Sequence, residues 1–509
     1  MLDATPLLRL YAAYRRKRLA AERPTECQEG ELRGLLRRAA STPFGRRHDF
    51  ARLRSAADFR AAVPLRRYED FWREYWQAAY PNLGGVTWPG HIPYFALTSG
   101  TTTGKTKYIP VSREMLAANR RAALDLLTHH LSNRPRSRVL GGRNFMLGGS
   151  TALTLEAPRV RSGDLSGIAA NEVPFWARPR YFPPRREALV ADWDAKIARL
   201  ARLSLQTDIR TISGTPSWLL IFFEKLAELK PKAPRRLVSY YPNLELLVHG
   251  GINFAPYRRG FEALLEGGHA ELREVYPASE GFVAIADRGP GQGLRMILDN
   301  GLFYEFVPVE ELDSPSPTRH WIGTAQPGVD YALVITSCAG LWGYILGDTV
   351  RLVDRAPPRL LITGRTGNVL SAFGEHLIDA EIEEAVAAAA VAIGAAVNDY
   401  VVAPLYPEHE GARGGHLFAV EFAEPGLPAS AVATFAETLD RALAASNADY
   451  AAHRAGGYGM RAPEIRAVAA GGFAAWMRAR GQLGGQHKVP RIINDPALFR
   501  ELLAFLDRR

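Results

Sequence analysis

The sequence predicts an α/β fold, with a large mixed α/β N-terminal domain followed by a small α/β C-terminal domain. The chain has 509 residues, which is more than one hydrophobic core usually organises, so two or more domains are expected. Short runs of β-branched or aromatic residues alternate with helical stretches, a pattern typical of helices layered on a sheet. We place the large domain at residues 1–365 and the small domain at residues 366–509.

The first 90 residues are predicted to form a helical cap on the large domain. From residue 7 to about residue 60, apolar positions recur three and four apart and strand-forming residues are few, which is the pattern of amphipathic helices. This region contains the basic group RRKR (residues 15–18), flanked by leucines and alanines. Aromatic residues are not interleaved with these cations as in a single-strand binder, so we interpret the group as a solvated helical face.

The middle of the chain, from about residue 93 to 361, is predicted to form the layered α/β core. A strand at 211–213 leads into a helix over 218–229, and a strand at 244–248 leads into a helix over 257–265. Helices then become rarer, and four runs look like consecutive strands of a sheet or barrel, so the large domain includes a β-barrel-like part. These runs are residues 294–297, 302–309, 331–336 and 360–363.

A polar turn with two glycines, GRTGN (residues 364–368), follows a buried-looking strand and is the predicted domain boundary. Beyond it we expect a small domain of alternating helices and strands. The predicted elements are a helix over 379–392, strands around 400–403 and 417–422, and a helix over 429–445. The alanine run at 387–390 is interpreted as closely packed helix.

Composition and spacing argue against several classes of protein. We find no apolar run long enough to span a membrane and no basic-then-apolar order of a secretory signal, so a cytoplasmic location without a membrane partner is expected. Cys27 and Cys338 lack metal-ligand spacing and are expected to be free thiols, and the spacing of His409 and His416 is too irregular for a metal site. The net charge of +10 is not gathered into a nucleic-acid footprint, and it favours polyanionic small molecules instead.

The sharpest local signal is the hydroxyl- and glycine-rich run LTSGTTTGKTK (residues 97–107), which precedes a helix beginning near Ser112. Glycine lets backbone amides approach an anion, hydroxyls donate to phosphate oxygens, and lysines neutralise charge. The order differs from the usual P-loop pattern, and a mobile surface loop is the alternative interpretation. The predicted phosphate-binding residues are Ser99, Gly100, Thr101, Thr102, Thr103 and Lys107.

Four motifs, in order, resemble those of the adenylate-forming acyl ligases. The hydroxyl-rich loop resembles the first. YPASEG (residues 276–281) resembles the second, whose aromatic residue, here Tyr276, packs on adenine and whose glutamate, here Glu280, holds magnesium. YILGD (residues 344–348) resembles the third, whose aspartate, here Asp348, binds the ribose hydroxyls, and GRTGN lies where the family has its hinge and a second ribose contact, here Arg365. One such piece is weak, but four in order are a strong signal.

The segment QHKVPR (residues 486–491) indicates a resemblance to one particular family among these ligases. It is similar to the Gln-Tyr-Lys-Thr/Val-Pro-Arg ending of the Gretchen Hagen acyl-acid amido synthetases, plant and bacterial enzymes that conjugate carboxylic acids to amino acids. TISGTP (residues 211–216) before a helix, the chain length and the helical N-terminal segment agree with this family. The chain is therefore identified as a bacterial-type member, with Lys488 as the catalytic lysine.

The resemblance implies an enzyme that uses ATP and Mg²⁺. It would convert a small carboxylic acid into an acyl-adenylate, release pyrophosphate and transfer the acyl group to an amine, most simply an amino acid. Lys488 would offset the charge that develops during adenylation. Because Lys488 follows the predicted hinge, the small domain must be mobile, closing for adenylation and reopening for transfer. A monomer or weak dimer is expected.

The acid pocket is harder to predict. Trp218, Phe254 and Tyr344 are aromatic and lie in or beside motif segments, and Arg120 on the helix after the loop is a candidate contact for a polar group of the acid. Side chains of these types are more often core or solvated-surface residues than ligand contacts. His249 is expected to be a hydrogen-bonded structural histidine.

Two other functions stay open. An adenylate-forming acyl-CoA ligase shares the first half-reaction and uses a thiol acceptor. The second alternative is a catalytically silent nucleotide-binding protein, which the presence of Glu280, Asp348 and Lys488 argues against.

Overall fold

The computed structural model divides the chain into two units, Met1–Gly251 with Gly267–Leu361, and Ile252–Glu266 with Ile362–Arg509. The structure describes residues 2–98, 107–148, 152–175, 177–188, 193–250, 254, 257–312, 314–366, 369–370, 372, 375, 377–406, 414–447, 450–451, 454, 460–482 and 489–508. Within these ranges, no helix combines the length and apolar character needed to cross a bilayer.

Helices occupy much of the N-terminal segment. They are α1 (Thr5–Ala20), α2 (Pro24–Ala39), α3 (Pro43–Arg47), α4 (Ala56–Ala62) and α5 (Tyr68–Phe71), followed by a π-helical turn (Trp72–Trp76). The sequence specifies several of their starts. Proline lies in the first turn of α1, α2 and α3, where its missing N–H costs nothing. Thr42 and Ser55 cap α3 and α4 by accepting the backbone N–H of Gly45 and Asp58 at 3.0 and 3.1 Å.

The Arg15 side chain departs from the predicted solvated face of α1. Its guanidinium donates to both carboxylate oxygens of Asp125 at 2.8 and 2.7 Å and to Asp299 at 2.6 and 2.7 Å. The prediction for residues 15–18 was wrong at this position because two distant aspartates compensate a buried cation. The next three residues of the group are exposed.

The larger unit is built on sheets whose strands follow the predicted alternation with helices. The strands up to residue 365 are β1 (Tyr94–Thr98), β2 (Lys107–Val111), β3 (Arg143–Leu147), β4 (Thr154–Ala157), β5 (Val160–Gly163), β6 (Tyr181–Phe182), β7 (Ile209–Gly214), β8 (Leu246–Gly250), β9 (Glu271–Ala278), β10 (Gly281–Ile285), β11 (Leu294–Met296), β12 (Leu302–Pro308), β13 (His320–Trp321), β14 (Asp330–Ser337), β15 (Tyr344–Arg355) and β16 (Pro358–Arg365). The helices over this stretch are α6 (Arg113–Asn133), α7 (Leu165–Asn171), α8 (Arg185–Ala188), α9 (Trp193–Ser204), α10 (Pro216–Leu229) and α11 (Leu237–Tyr240). The next helix, α12 (Arg258–Leu265), belongs to the smaller unit.

Twelve strands form one sheet in the order β13-β12-β14-β15-β16-β11-β10-β9-β8-β7-β3-β6, and β2-β1-β5-β4 form a second sheet. Strands β3, β7, β8 and β9 are parallel neighbours. The runs predicted as a sheet or barrel are β11, β12, β14 and β16, which lie in the antiparallel half of the large sheet. The first four residues of β8 and all of β12 are buried, as expected where both faces of a sheet are covered. Because β7, β8 and β9 are parallel neighbours, their carboxyl ends lie side by side.

The smaller unit is an α/β structure around a three-stranded sheet in the order β19-β20-β21. Its elements beyond residue 366 are β17 (Val369–Leu370), β18 (Leu377–Ile378), α13 (Asp379–Ala392), β19 (Val397–Leu405), β20 (Gly415–Phe422), α14 (Ala429–Ser446), β21 (Glu464–Val468), α15 (Gly472–Ala479) and α16 (Pro496–Leu506). The helices and strands predicted here are confirmed.

Alternation along β19 explains why helices cover both faces of the small sheet. Tyr400 and Val402 pack into one core, which includes residues of α13 and α14. Val401 and Ala403 pack into another, which includes residues of α15 and α16. Successive side chains on a strand point to opposite faces, so a run of apolar residues serves both cores. The last two alanines of the run at 387–390, Ala389 and Ala390, pack into the first core, whereas Ala388 is exposed.

Candidate active site

The hairpin between β9 and β10 carries two of the predicted site residues. Tyr276 lies near the end of β9, and Glu280 lies in the turn before Gly281. Both side chains are buried. A Cβ at Gly281 would lie 2.8 Å from a methyl carbon of Leu302, so glycine allows the close approach of β12. The turn lies at the carboxyl edge of the parallel strands, where α/β sheets bind ligands.

A bulge in β15 precedes the predicted ribose-binding residue. Ala332 of β14 pairs with Thr349, and Val334 pairs with Ile345. Three residues of β15, 346–348, therefore face a single residue of β14. Gly347 adopts φ +92° within this bulge, a conformation that glycine reaches without strain. Bulges of this kind change the direction of a side chain beside a site, and here the residue concerned is Asp348.

Two tyrosine–carboxylate hydrogen bonds join this strand to the hairpin. The hydroxyl of Tyr276 donates to Oδ2 of Asp348, and the hydroxyl of Tyr344 donates to Oε1 of Glu280 at 3.2 Å. Burial, the larger cause, and the neighbouring Glu280 carboxylate, the second, both raise the pKa of Tyr344 well above its usual value of 10. The hydroxyl therefore stays protonated and acts as a donor. The structure thus brings together four residues from two motifs that are far apart in the sequence.

The start of β15 is held by a residue that the sequence analysis missed. Arg66 forms an isolated parallel bridge with Tyr344. Its N–H donates to Gly343 at 2.9 Å, and its carbonyl accepts the N–H of Ile345 at 2.9 Å. The segment before Arg66 carries no motif, so no sequence signal indicates this contact.

The hydroxyl-rich loop connects two paired strand ends, because Thr98 of β1 is opposite Lys107 of β2. Ser99, Gly100, Thr101, Thr102 and Thr103 lie outside the described residues, and their phosphate contacts stay predictions.

Lys107, the last residue of this loop motif, is described. Its Nζ lies 3.6 Å from Oε1 of Glu69 and 5.5 Å from the centre of the Tyr68 ring. The Lys107 ammonium, at the start of β2, is therefore held against α5.

The candidates for the acid pocket lie in different surroundings. Trp218 is half-buried in the first turn of α10, which follows the carboxyl end of β7. The Arg120 side chain is half-exposed, with Nη2 3.7 Å from Oε2 of Glu172. Phe254 is buried in the smaller unit. Tyr344 is buried with its hydroxyl on Glu280, as described above. Contact of any of the four with the acid stays a prediction.

Arg365, at the predicted domain boundary, and Lys488, in the predicted small domain, lie at the edges of what the structure describes. Arg365 ends β16, and its side chain is outside the described part; Lys488 also lies outside the described residues. After Lys488, the next described stretch is anchored by Arg491, whose carbonyl accepts the N–H of Val402 at 2.8 Å.

The Arg491 side chain adds further anchors within the same unit. Its guanidinium pairs with Asp399, donates to the hydroxyl of Tyr257 at 2.6 Å and lies 4.5 Å from the centre of the Tyr400 ring. The QHKVPR motif predicted a role for Lys488, and no sequence pattern predicted these partners of Arg491. The segment that follows Lys488 is thereby fixed to β19.

Three domain models of a single family match the chain in order. The N-terminal domain model of the GH3 family matches residues 14–269, the central domain model matches 295–365, and the C-terminal domain model matches 380–497. The chain belongs to the GH3 family. The N-terminal match alone spans half of the chain, so the resemblance inferred from the motifs is confirmed.

Relatives and solved structures agree with this membership. An indole-3-acetic acid-amido synthetase of Oryza sativa subsp. indica is 28% identical over 52% of this chain and 46% of its own length. The first curated relatives are therefore matched over about half of their length. The structure of an acyl acid amido synthetase in complex with 2,4-DB aligns with a TM-score of 0.81 at 17% identity, covering 98% of this GH3 chain and 95% of the other.

A second solved structure shares the fold more distantly. The 2-hydroxyisobutyryl-CoA ligase in the postadenylation state aligns with a TM-score of 0.62 at 19% identity, covering 95% of this chain and 92% of the other. At these identities both structural likenesses show the fold alone. The predicted mixed α/β fold, with a large N-terminal and a smaller C-terminal domain, is confirmed.

Proposed function

We propose that this GH3 protein is an ATP-dependent acyl-acid amido synthetase that joins a small carboxylic acid to an amine, most simply an amino acid. The observation that carries the proposal is the pair of tyrosine–carboxylate hydrogen bonds that link the second and third nucleotide-binding motifs. Membership of a family that includes amido synthetases supports the choice of acceptor.

The chemistry explains why such a site needs concentrated positive charge. A carboxylate is a poor electrophile, because direct displacement would expel oxide. In adenylation its oxygen attacks the α-phosphorus of ATP and the bond to the bridging oxygen of pyrophosphate breaks, which gives an acyl-adenylate. The amine then attacks the acyl carbon, AMP leaves, and the amine loses a proton. Groups that stabilise charge in the transition state supply most of the rate enhancement in reactions of this kind.

The nucleotide is assigned to the two linked motifs and the loop. The ring of Tyr276 would pack on adenine, while Asp348 and Arg365 would bind the ribose. Ser99, Gly100, Thr101, Thr102, Thr103 and Lys107 would bind the phosphates. The support for Tyr276 and Asp348 is their direct hydrogen bond at the carboxyl edge of the sheet.

Glu280 fits the role of a magnesium ligand. Within the described ranges of the chain, no three metal-ligating side chains converge, as they would in an all-protein cage. Mg²⁺ in nucleotide sites is usually bound by one or two carboxylates together with phosphate oxygens. A buried glutamate in the hairpin turn suits that mode, and the ion would neutralise charge on the phosphates.

Lys488 is assigned to the mobile small domain, residues 366–509, which would close for adenylation and reopen for acyl transfer. Its ammonium would offset charge on the phosphates in the closed state. The anchoring of Arg491 to β19 supports the view that the lysine moves with this domain. A cytoplasmic location and a monomeric or weakly dimeric state stay predictions.

The second candidate function is that of an acyl-CoA ligase. The support for it is that the 2-hydroxyisobutyryl-CoA ligase shares the fold over 95% of this chain. The test is an incubation with ATP, mixed acids, and either mixed amino acids or coenzyme A, with products scored by mass. Amide products and AMP support the proposal, thioester products support the second candidate, and an absence of acid-dependent pyrophosphate exchange into ATP contradicts both.

A further inference from the structure

The bond between Tyr344 and Glu280 assigns this tyrosine a role other than contact with the acid. Tyr344 is 2% exposed, so its ring offers little surface to a substrate. Its hydroxyl donates to Oε1 of Glu280 at 3.2 Å. We propose that Tyr344 is a positioning residue that holds the Glu280 carboxylate in the orientation required to bind the divalent cation. This inference rests on the proposed function, in which Glu280 is the metal ligand.

The tyrosine is itself held in place, so its hydroxyl is a fixed point. Arg66 bonds to the backbone on both sides of Tyr344 at 2.9 Å, and the Tyr344 ring centre lies 6.2 Å from that of Phe71. A side chain fixed by packing and backbone contacts can hold a neighbouring group in one rotamer. The N-terminal segment thus supports the metal-binding carboxylate through Tyr344.

A hydroxyl is well suited to this task because it carries no charge. An arginine or lysine on the same oxygen would cancel the negative charge that attracts the cation, whereas a neutral donor restricts rotation and leaves that charge in place. Outer partners of metal ligands typically change metal affinity by 10–100-fold when removed. The expected loss on removing the Tyr344 hydroxyl therefore lies in this range.

The second hydrogen bond between the same two elements provides a matched control. Tyr276 donates to Asp348, so Tyr276→Phe removes a buried tyrosine hydroxyl from a carboxylate assigned to the ribose. Tyr344→Phe removes a hydroxyl from the carboxylate assigned to the metal. The two variants make the same chemical change at opposite ends of the linked motifs.

The experiment measures Mn²⁺ binding to the full-length protein by electron paramagnetic resonance, in the presence of α,β-methylene-ATP. Tyr344→Phe is expected to weaken Mn²⁺ binding about tenfold while the KM for the acid stays unchanged. Tyr276→Phe is expected to weaken nucleotide binding while Mn²⁺ affinity at saturating nucleotide stays unchanged. In a Glu280→Gln background, Tyr344→Phe should have no further effect on Mn²⁺ affinity, because it acts through that carboxylate.

Three results would overturn the inference. They are a higher KM for the acid with unchanged Mn²⁺ affinity, a loss of melting temperature without a change in Mn²⁺ affinity, and an equal effect of Tyr344→Phe with and without Glu280. If the unmodified protein shows no acid-dependent pyrophosphate exchange, the proposed function fails. If exchange is normal and the Tyr344 variant binds Mn²⁺ normally, only this inference fails.

Discussion

The Arg15 guanidinium joins α1 to two aspartates elsewhere in the larger unit. Removing a buried partner leaves uncompensated charges, which typically costs about 3–5 kcal/mol. Arg15→Ala should therefore lower the free energy of unfolding by about that amount, measured by denaturant titration. Arg16→Ala on the exposed side of α1 is the control and should change stability by less than about 0.5 kcal/mol. Equal effects of the two substitutions would contradict the pairing.

The partners of Arg15 could not be predicted from the sequence. Helical periodicity predicts where α1 lies, but it contains no information about Asp125 or Asp299, which are 110 and 284 positions away. Tyr344 is a similar case. Its motif indicates proximity to the nucleotide site, whereas the partner of its hydroxyl depends on how β15 and the hairpin pack.

Helix α6 contacts the start of β9 through a cluster of titratable side chains. Burial alone would raise the pKa of Glu271, but hydrogen bonds from His130 and Arg273 outweigh it and lower the pKa from 4.5 to about 2. His130 Nδ1 lies 2.6 Å from Glu271 Oε2, and Arg273 Nη2 lies 2.7 Å from Oε1. The ionised carboxylate therefore stabilises the folded state.

The pH dependence of stability tests this cluster. A folded-state pKa below the unfolded value gives stability that is present above pH 4.5 and lost as the pH falls toward 2. Glu271→Gln should lower stability at pH 7 and flatten its decline between these two pH values, measured by urea titration at several pH values. Glu26→Gln in the exposed pair with Arg23 should leave that profile unchanged, and a Glu271→Gln profile like that of the unmodified protein would contradict the account.

Element positions were the most predictable part of the fold, because they depend on local periodicity. The helix expected over residues 379–392 is α13, and the strand expected over residues 417–422 lies within β20. Strand order and direction depend on pairing between distant segments, so the sequence did not indicate that β11 to β16 continue the same sheet as β7 to β9. The bulge around Gly347 was also unpredicted, although the glycine before Asp348 is the signal that marks it.

At the scale of the whole molecule, the proposed mechanism separates the two half-reactions by domain movement. Lys488→Ala should slow acid-dependent pyrophosphate exchange about a hundredfold while ATP binding and the melting temperature are retained. Aminolysis of acyl-adenylate supplied from outside should be much less affected, because the lysine serves the closed state. Lys17→Ala, an exposed lysine of α1, is the control. Normal exchange in the Lys488 variant would contradict its assignment.

The order of the motifs allowed the family to be predicted from sequence, since the resemblance assigns each motif to a different part of one nucleotide. Convergence of the motifs is a property of the folded chain. Within the larger unit the structure joins Tyr276 to Asp348 and Tyr344 to Glu280. The identity of the acid is not encoded by a comparable motif, because an apolar pocket is built from residues that are also found in ordinary cores.

In the proposed function, these linked motifs bind a single adenylate. The most direct test is a crystal structure of the full-length protein with a non-hydrolysable acyl-sulfamoyl adenosine. We expect adenine against the ring of Tyr276 and ribose hydroxyls on Asp348, with the sulfamate facing the loop after Thr98. An adenosine bound at any other surface, with Tyr276 and Asp348 untouched, would contradict it.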